Sequence, residues 1–377
     1  MSSRSIAVLA AGATLLLAGS SCVTERPGSE IQPAGRLSTV RIELTGIMDT
    51  DASLQAVVAA GNEEIGRKAL AAAEAALRDV ETRMNAHDAS SELARLNAAP
   101  PNAEVPLSPP TLEALRLARH YAAPTDGAFD VTCRPLLNLW RQAGCNDRLP
   151  SKEELREAMT KIGWRHFKLL DRSAVRLTEG ASIDLGGIAK KYGIDRAADA
   201  MIRAGGPDLL GGLINVGGDV RCFGRRPEEG PWQVGIRDPF ARDGRFLAVL
   251  NAPCAAVCTS GNYERFVIIR NKRYSHIVDP RTGLTADAVP LVAVVGRDAV
   301  SAGVWATALS VLGPAGLDRL PDDAGLEVLL VTGSASSYEM HMTPGMADML
   351  QSLLPGAQDK PAVPILPEQN RITTPKP

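Results

Sequence analysis

Phe266-Val267-Ile268-Ile269-Arg270-Asn271-Lys272-Arg273-Tyr274-Ser275-His276-Ile277-Val278 reads as two β-rich runs, Phe266 to Ile269 and Tyr274 to Val278, around the polar turn Arg270 to Arg273. That pattern predicts a hairpin. Strand-like runs recur at Phe167 to Leu170, Ile214 to Val216, Trp232 to Ile236, Phe246 to Leu250, Val292 to Val295 and Val328 to Val331. Consecutive runs follow one another with no helical period between them, whereas a doubly wound fold would put a helix in each gap. The expected class is α+β, with mixed or antiparallel sheets and flanking helices.

The helices announce themselves upstream. Val40, Ile42 and Leu44 alternate with Arg41 and Glu43 as in a half-buried strand, and the Ala-rich segment that follows has helical spacing at Leu70, Leu77, Val80 and Met84. Ser108 before Pro109 marks a helix start, and Ser151 with Glu154 matches a capping box ahead of Leu155 and Met159. The 377 residues, 45% of them hydrophobic, suffice for one large domain or two smaller ones. A net charge of -2, with Lys and Arg scattered among Asp and Glu, leaves no basic stripe to fit a nucleic-acid groove.

The N-terminus has the order of an export signal: Arg4, an apolar stretch from Ile6 to Ala18, then Gly19, Ser20, Ser21 and Cys22. It is short for a mature bilayer span. Its end resembles a bacterial lipobox with Cys22 as the lipidated first mature residue, although Gly19 is atypical there; cleavage of a soluble secretory signal nearby is the alternative. The expected organisation is a signal over residues 1–22, a polar linker over 23–39, the folded domain over 40–354 and a Pro-rich disordered tail over 355–377. Cys133, Cys145, Cys222, Cys254 and Cys258 are then an odd number in an oxidising compartment, so at most two bridges form. The spacing of Cys254 and Cys258 permits a small loop closure, and buried apolar roles are the simplest reading of all five.

Chemistry concentrates after the hairpin. Ser275-His276-Ile277-Val278-Asp279-Pro280-Arg281-Thr282-Gly283 packs an imidazole, a carboxylate and a guanidinium into a segment that Pro280 and Gly283 bend. Upstream, Thr259-Ser260-Gly261 ends the apolar run Ala255 to Cys258, so hydroxyls and bare backbone meet at a strand end, as an anionic ligand such as phosphate requires. Asp184-Leu185-Gly186-Gly187-Ile188-Ala189-Lys190 sets an acid before a glycine pair, with Lys190 one turn into a helix running to Met201. It suits a phosphate or a metal, and is neither a Walker A loop nor G-x-G-x-x-G. In Asn215-Val216-Gly217-Gly218-Asp219 the acid is either solvated at a plain turn or a ligand contact. In Asp126-Gly127-Ala128-Phe129-Asp130 the ring is either core or the border of a flat ligand.

These segments, with Ser91-Glu92-Leu93 and Leu96-Asn97, stand in an order that resembles the ApbE family of exported bacterial FAD:protein FMN transferases, over about Val40 to Leu354. The resemblance implies a single α+β domain related to the tunnelling fold. It further implies FAD as substrate and Mg2+-dependent transfer of FMN to a Ser or Thr hydroxyl of an acceptor protein, with AMP released. The acceptors would be respiratory or redox proteins, met at a membrane to which a lipid anchor holds the enzyme, facing the periplasm or cell exterior. His276 is implied as the base, with Asp279 orienting it or sharing the role, while Arg281 braces the turn. The implied FAD contacts are Met48, Ala128, Phe129, Asp130, Asp184, Lys190 and Ile277, joined by Thr259, Ser260, Gly261 and by His87 where a stacking Tyr is usual. Gly187, through its carbonyl, and Thr307 are the implied metal contacts.

Two departures concern backbone and charge. Asp49 replaces a Gly after Met48, and Gly303 stands where the family has a metal-binding Asp four residues before Thr307. Asp298, Asp287 or a water are the expected substitutes for that carboxylate. Besides transfer, the sequence leaves open an exported protein that holds FAD without transferring it, and an FAD pyrophosphatase that releases free FMN and AMP.

Overall fold

Nine strands form the central sheet, and their order across it is their order along the chain: Leu37–Ile47, Thr50–Ala59, Leu209–Val216, Asp219–Gly224, Ala256–Gly261, Leu291–Gly296, Glu327–Ser334, Ser337–Met342 and Ala362–Pro364. Neighbours pair antiparallel except the last, which runs parallel to Met340–Met342. This computed structural model describes residues 36–353 except 242, 253, 263 and 264, together with the backbone of 362–364. The expected signal, Cys22, most of the expected linker and most of the expected tail lie outside the described residues.

Both faces of the sheet are covered, which is why its middle strands read as unbroken apolar runs. In Leu291–Gly296 every residue is buried, Val292 and Val294 in one core and Leu291, Ala293 and Val295 in another. Helices Glu63–Met84, Ala189–Gly205 and Ala299–Leu312 share the first core, where Leu70, Leu77, Val80 and Met84 bury the stripe their spacing predicts. A three-stranded sheet, Trp232–Arg237, Phe246–Ala252 and Leu350–Leu353, packs on the other face through Trp232, Val234, Ile236 and Leu250. A third cluster joins helices Arg134–Cys145 and Lys152–Thr160 to the hairpin through Leu136, Trp140, Ala158, Ile269 and Val278.

The expected class holds, with instructive corrections at the ends of elements. The hairpin strands are Phe266–Ile269 and Lys272–Ser275, so the turn is two residues and not four. Arg270 (φ 49°) and Asn271 (φ 61°) both take the left-handed conformation that matches the twist of the flanking strands. The shorter turn ends the second strand at Ser275 and frees His276 to Val278 from the ladder. The first strand begins at Leu37, inside the stretch read as linker, and Ala362–Pro364 pairs as a strand inside the stretch read as a disordered tail. The helix expected to end at Met201 reaches Gly205, and Lys190 is its second residue, not one turn in. Cys222 and Cys258 are buried as expected, but Cys133 is only partly buried, Cys145 and Cys254 are exposed, and all five are free thiols, so Cys254 closes no loop with Cys258. The predicted capping box is present, Glu154 N donating to Ser151 Oγ and Ser151 N to Glu154 Oε2.

Candidate active site

One cleft of about 720 Å³ gathers the singled-out segments at one end of the sheet strands. Every flavin or metal contact implied by the resemblance, from Met48 and His87 through Phe129, Asp184, Gly187, Lys190 and Thr259 to Ile277 and Thr307, lies on its wall, and so does His276. Asp279 does not.

His276 follows the hairpin in a loop tied at both sides. Ser275 N donates to Asp287 Oδ1 (2.8 Å), Ala286 N to the Ile277 carbonyl (2.8 Å), and Gly283 N to the Asp279 carbonyl (2.8 Å). Trp140 Nε1 donates to the Gly283 carbonyl (2.8 Å) and fastens the loop to its helix. The imidazole Nδ1 lies 2.8 Å from the Arg265 carbonyl. A carbonyl only accepts, so the ring proton is on Nδ1 and Nε2 keeps its lone pair. Partial desolvation by the surrounding cleft residues lowers the imidazole pKa from its ordinary 6.5, although the ring keeps an exposed face; the Arg265, Lys191 and Lys190 charges act in the same direction, against the carbonyl bond. The shift favours the neutral ring.

The expected partner of this histidine is corrected. The Asp279 carboxylate is engaged by Arg281, Oδ1 accepting from Nε and Oδ2 from Nη2, each at 2.9 Å, so the Arg265 backbone and not Asp279 sets the ring. Arg281 does brace the turn, and its Nη1 also lies 3.7 Å from Asp126, joining the loop to the Asp126–Asp130 segment. Arg265 had no signal in the sequence, because its backbone oxygen acts and any residue has one.

Asp219 departs most from the solvated reading. It is 1% exposed, with Lys190 Nζ 2.9 Å and Lys191 Nζ 3.7 Å from Oδ2, while Oδ1 accepts from Thr259 N at 3.0 Å. Gly217 (φ 55°) and Gly218 (φ 87°) form the two-residue turn that places it, since Val216 pairs with Asp219. The Oδ2 contacts are charge contacts without an aligned hydrogen bond. Two ammonium groups against one carboxylate leave these three side chains with one net positive charge, within reach of an anion in the cleft. Lys191 was overlooked in the sequence, although it directly follows Lys190.

Apolar and polar groups share the rest of the lining. Phe129 and Ala128 are buried, and a Cβ on Gly187 would fall 3.0 Å from the Phe129 ring, so the glycine lets the ring lie against that turn. Asp184 Oδ1 accepts from Gly186 N (2.8 Å), and Asn97 holds the preceding residue by donating to the Ile183 carbonyl and accepting from its N–H, both at 2.8 Å. Burial raises the Asp130 carboxyl pKa, while bonds from Thr132 N and Oγ1 pull it back. Met48 (φ 51°) and Asp49 (φ 59°) make a tight turn between paired Ile47 and Thr50, and Met48 N donates to Glu81 Oε1 (2.8 Å). Aspartate tolerates the left-handed region, so the loss of a Gly at position 49 leaves the turn intact. His87 is exposed at the rim, its N–H donating to Asn85 Oδ1.

The implied metal position looks different. Thr307 Oγ1 donates to the Gly303 carbonyl (3.0 Å) within its helix. The space a side chain at 303 would need is taken: an added Cβ would fall 2.4 Å from Lys191 Cγ and 2.5 Å from Cε. The expected substitutes are engaged elsewhere, Asp298 Oδ1 capping the helix by accepting from Ser301 N (2.7 Å) and Asp287 binding Ser275 N and Thr285 Oγ1. Neither lines the cleft. Among the described residues no three His, Cys, Asp or Glu side chains are grouped to hold a metal ion.

Known proteins resemble this chain in sequence and in fold. An FAD:protein FMN transferase of Escherichia coli (strain K12) is 28% identical over 287 residues, which span 72% of this chain and 81% of the relative. The ApbE protein of Thermotoga maritima superposes with a TM-score of 0.73 at 30% identity, over 84% of this chain and all of the other. The flavin transferase ApbE of Vibrio cholerae gives 0.69 at 25% identity, over 83% of this chain and all of the other. Residues 48–330 match the pattern that defines the ApbE family, a span running from the Met48 turn through the lysine pair and the His276 loop to the strand beyond Thr307, and the chain belongs to that family.

Proposed function

We propose that this protein transfers FMN from FAD to a Ser or Thr hydroxyl of an acceptor protein and releases AMP. The observation that carries the reading is one cleft lined by a histidine whose Nδ1 is bonded to a carbonyl, by a lysine pair and by the Phe129 ring. The acceptor oxygen bonds to the flavin-side phosphorus as the bond from that phosphorus to the bridging oxygen breaks. The electron pair of the broken bond leaves with AMP, and the hydroxyl proton passes to His276 Nε2. General-base assistance of this kind contributes about 10²- to 10⁴-fold. Lys190 and Lys191 face the diphosphate, where negative charge grows on the departing phosphate.

Magnesium is implied by the resemblance, and the residues present do not fit it. A hydroxyl turned to its own helix and a Gly187 carbonyl supply no charge, and hard divalent cations take carboxylate oxygens. No step here is routed through a metal. Export and a lipid anchor on Cys22 are part of the same proposal, supported by the order of charged, apolar and small residues before Cys22. Cys22→Ser should then move the protein from the membrane to the soluble fraction. Respiratory or redox proteins are the proposed acceptors.

Incubation of the chain with FAD and a Thr-bearing acceptor tests the central reading. A fluorescent acceptor band on a denaturing gel together with AMP is expected. AMP with free FMN would instead mark a pyrophosphatase, and bound, intact FAD a flavin carrier.

A further inference from the structure

The loss of a carboxylate at 303 and the course of Lys191 are one feature. Lys191 leaves the start of helix Ala189–Gly205, is 8% exposed, and runs its alkyl chain directly over Gly303 of helix Ala299–Leu312. Any side chain at 303 would displace it. Its ammonium shares Asp219 Oδ2 with Lys190 and lies on the cleft wall. Asp219 is held in turn by Thr259 N and by the tight Gly217-Gly218 turn, so both ammonium groups are placed before a ligand arrives.

Resting on the transferase reading, we propose that Lys191, with Lys190 and set by Asp219, takes the place of a divalent cation in this chain: the two ammonium groups offset part of the FAD diphosphate charge, and FAD is bound and FMN transferred with no divalent metal. A fixed ammonium donates to phosphate oxygens as a point charge. A lysine so placed also repels a divalent cation, so the two solutions exclude each other. The bonds made and broken are those given above. The electron pair leaves with AMP and the proton goes to His276, while the lysines keep their protons throughout.

The test measures FAD binding by titration calorimetry on the full chain in detergent, in EDTA and again with Mg2+. The unaltered chain should bind FAD within twofold of the same Kd in both, and should transfer FMN in EDTA. Lys191→Met keeps the alkyl stem and should weaken binding in EDTA by tenfold or more, the range of a hydrogen bond to a charged group. The paired change Lys191→Gly with Gly303→Asp restores room and a carboxylate, and should make binding depend on Mg2+ by tenfold or more. Equal FAD affinity of Lys191→Met and the unaltered chain in EDTA would overturn the inference. Tenfold loss of the unaltered chain's affinity in EDTA, recovered with Mg2+, would do so as well and would leave the transferase reading standing. No FAD binding in either buffer would overturn both.

Discussion

Asp219→Asn isolates the charge that organises the cleft. Asparagine keeps the size, and its side-chain oxygen can still accept from Thr259 N, so the change removes little but the negative charge. Asp219 is 1% exposed, and the side chains of Lys190 and Lys191 are 23% and 10% exposed. Removing one partner of a buried ion pair costs about 3–5 kcal/mol. Lys190 can swing toward cleft water, which places the expected loss near the lower end, about 3 kcal/mol. For a chain of this size roughly 2 °C in Tm accompanies each kcal/mol, so the apo protein should melt about 6 °C lower. FAD brings its diphosphate charge to the same two lysines. FAD at about 100 times the parent's Kd stabilises the parent by about 2.7 kcal/mol, and at that same concentration a variant whose lysines have lost their internal counter-charge, binding FAD about tenfold more tightly, gains about 1.4 kcal/mol more. The gap between variant and parent should therefore shrink to roughly half in FAD. Differential scanning calorimetry of both proteins, with and without FAD, gives the four melting points needed. A drop in apo Tm below about 1 °C, or a gap that FAD leaves unchanged, would refute the reasoning.

Other expectations follow from the same geometry. His276→Ala should bind FAD as the parent does while transfer falls by about 10²- to 10⁴-fold, and equal transfer rates would remove His276 from the base role. Because partial desolvation and the nearby Arg265, Lys191 and Lys190 charges lower the His276 pKa, its neutral form persists as pH drops; the acid limb of the transfer rate should lie below pH 6.5, and a limb above that value would contradict the assigned environment. Ser151→Ala removes the N-cap acceptor of helix Lys152–Thr160 and should cost about 1 kcal/mol in denaturant titration, with transfer unchanged. Leu77→Ala, fully buried between the long helix and its neighbours, should cost about 2–5 kcal/mol by the same titration.

Much of the site was legible residue by residue. The Thr259–Gly261 strand end, the glycine pair before Lys190 and the His276 loop all reach the same cleft, because each is a local arrangement of turn formers and polar groups at the end of a strand or the start of a helix. Asp219 was read as a plain turn or a ligand contact and is neither: the turn is there, but the carboxylate points inward to two lysines. The hairpin was found and its register missed, since nothing in Arg270-Asn271-Lys272-Arg273 distinguishes a two-residue left-handed turn from a longer loop.

Taken alone, the order of residues determined the α+β class, the helix spacing from Leu70 to Met84, the cap at Ser151 and the segments that carry the chemistry. Periodicity, capping and turn propensity act over a few residues, and a sequence displays them directly. Only the tertiary structure decided that the Arg265 carbonyl sets the imidazole, that Asp219 is buried beneath the lysines and that Lys191 covers Gly303. These contacts join residues from different strands and helices. Their distances follow from how the helix layer packs on the central sheet, and charge and steric exclusion respond to neighbours in space, whatever their separation along the chain.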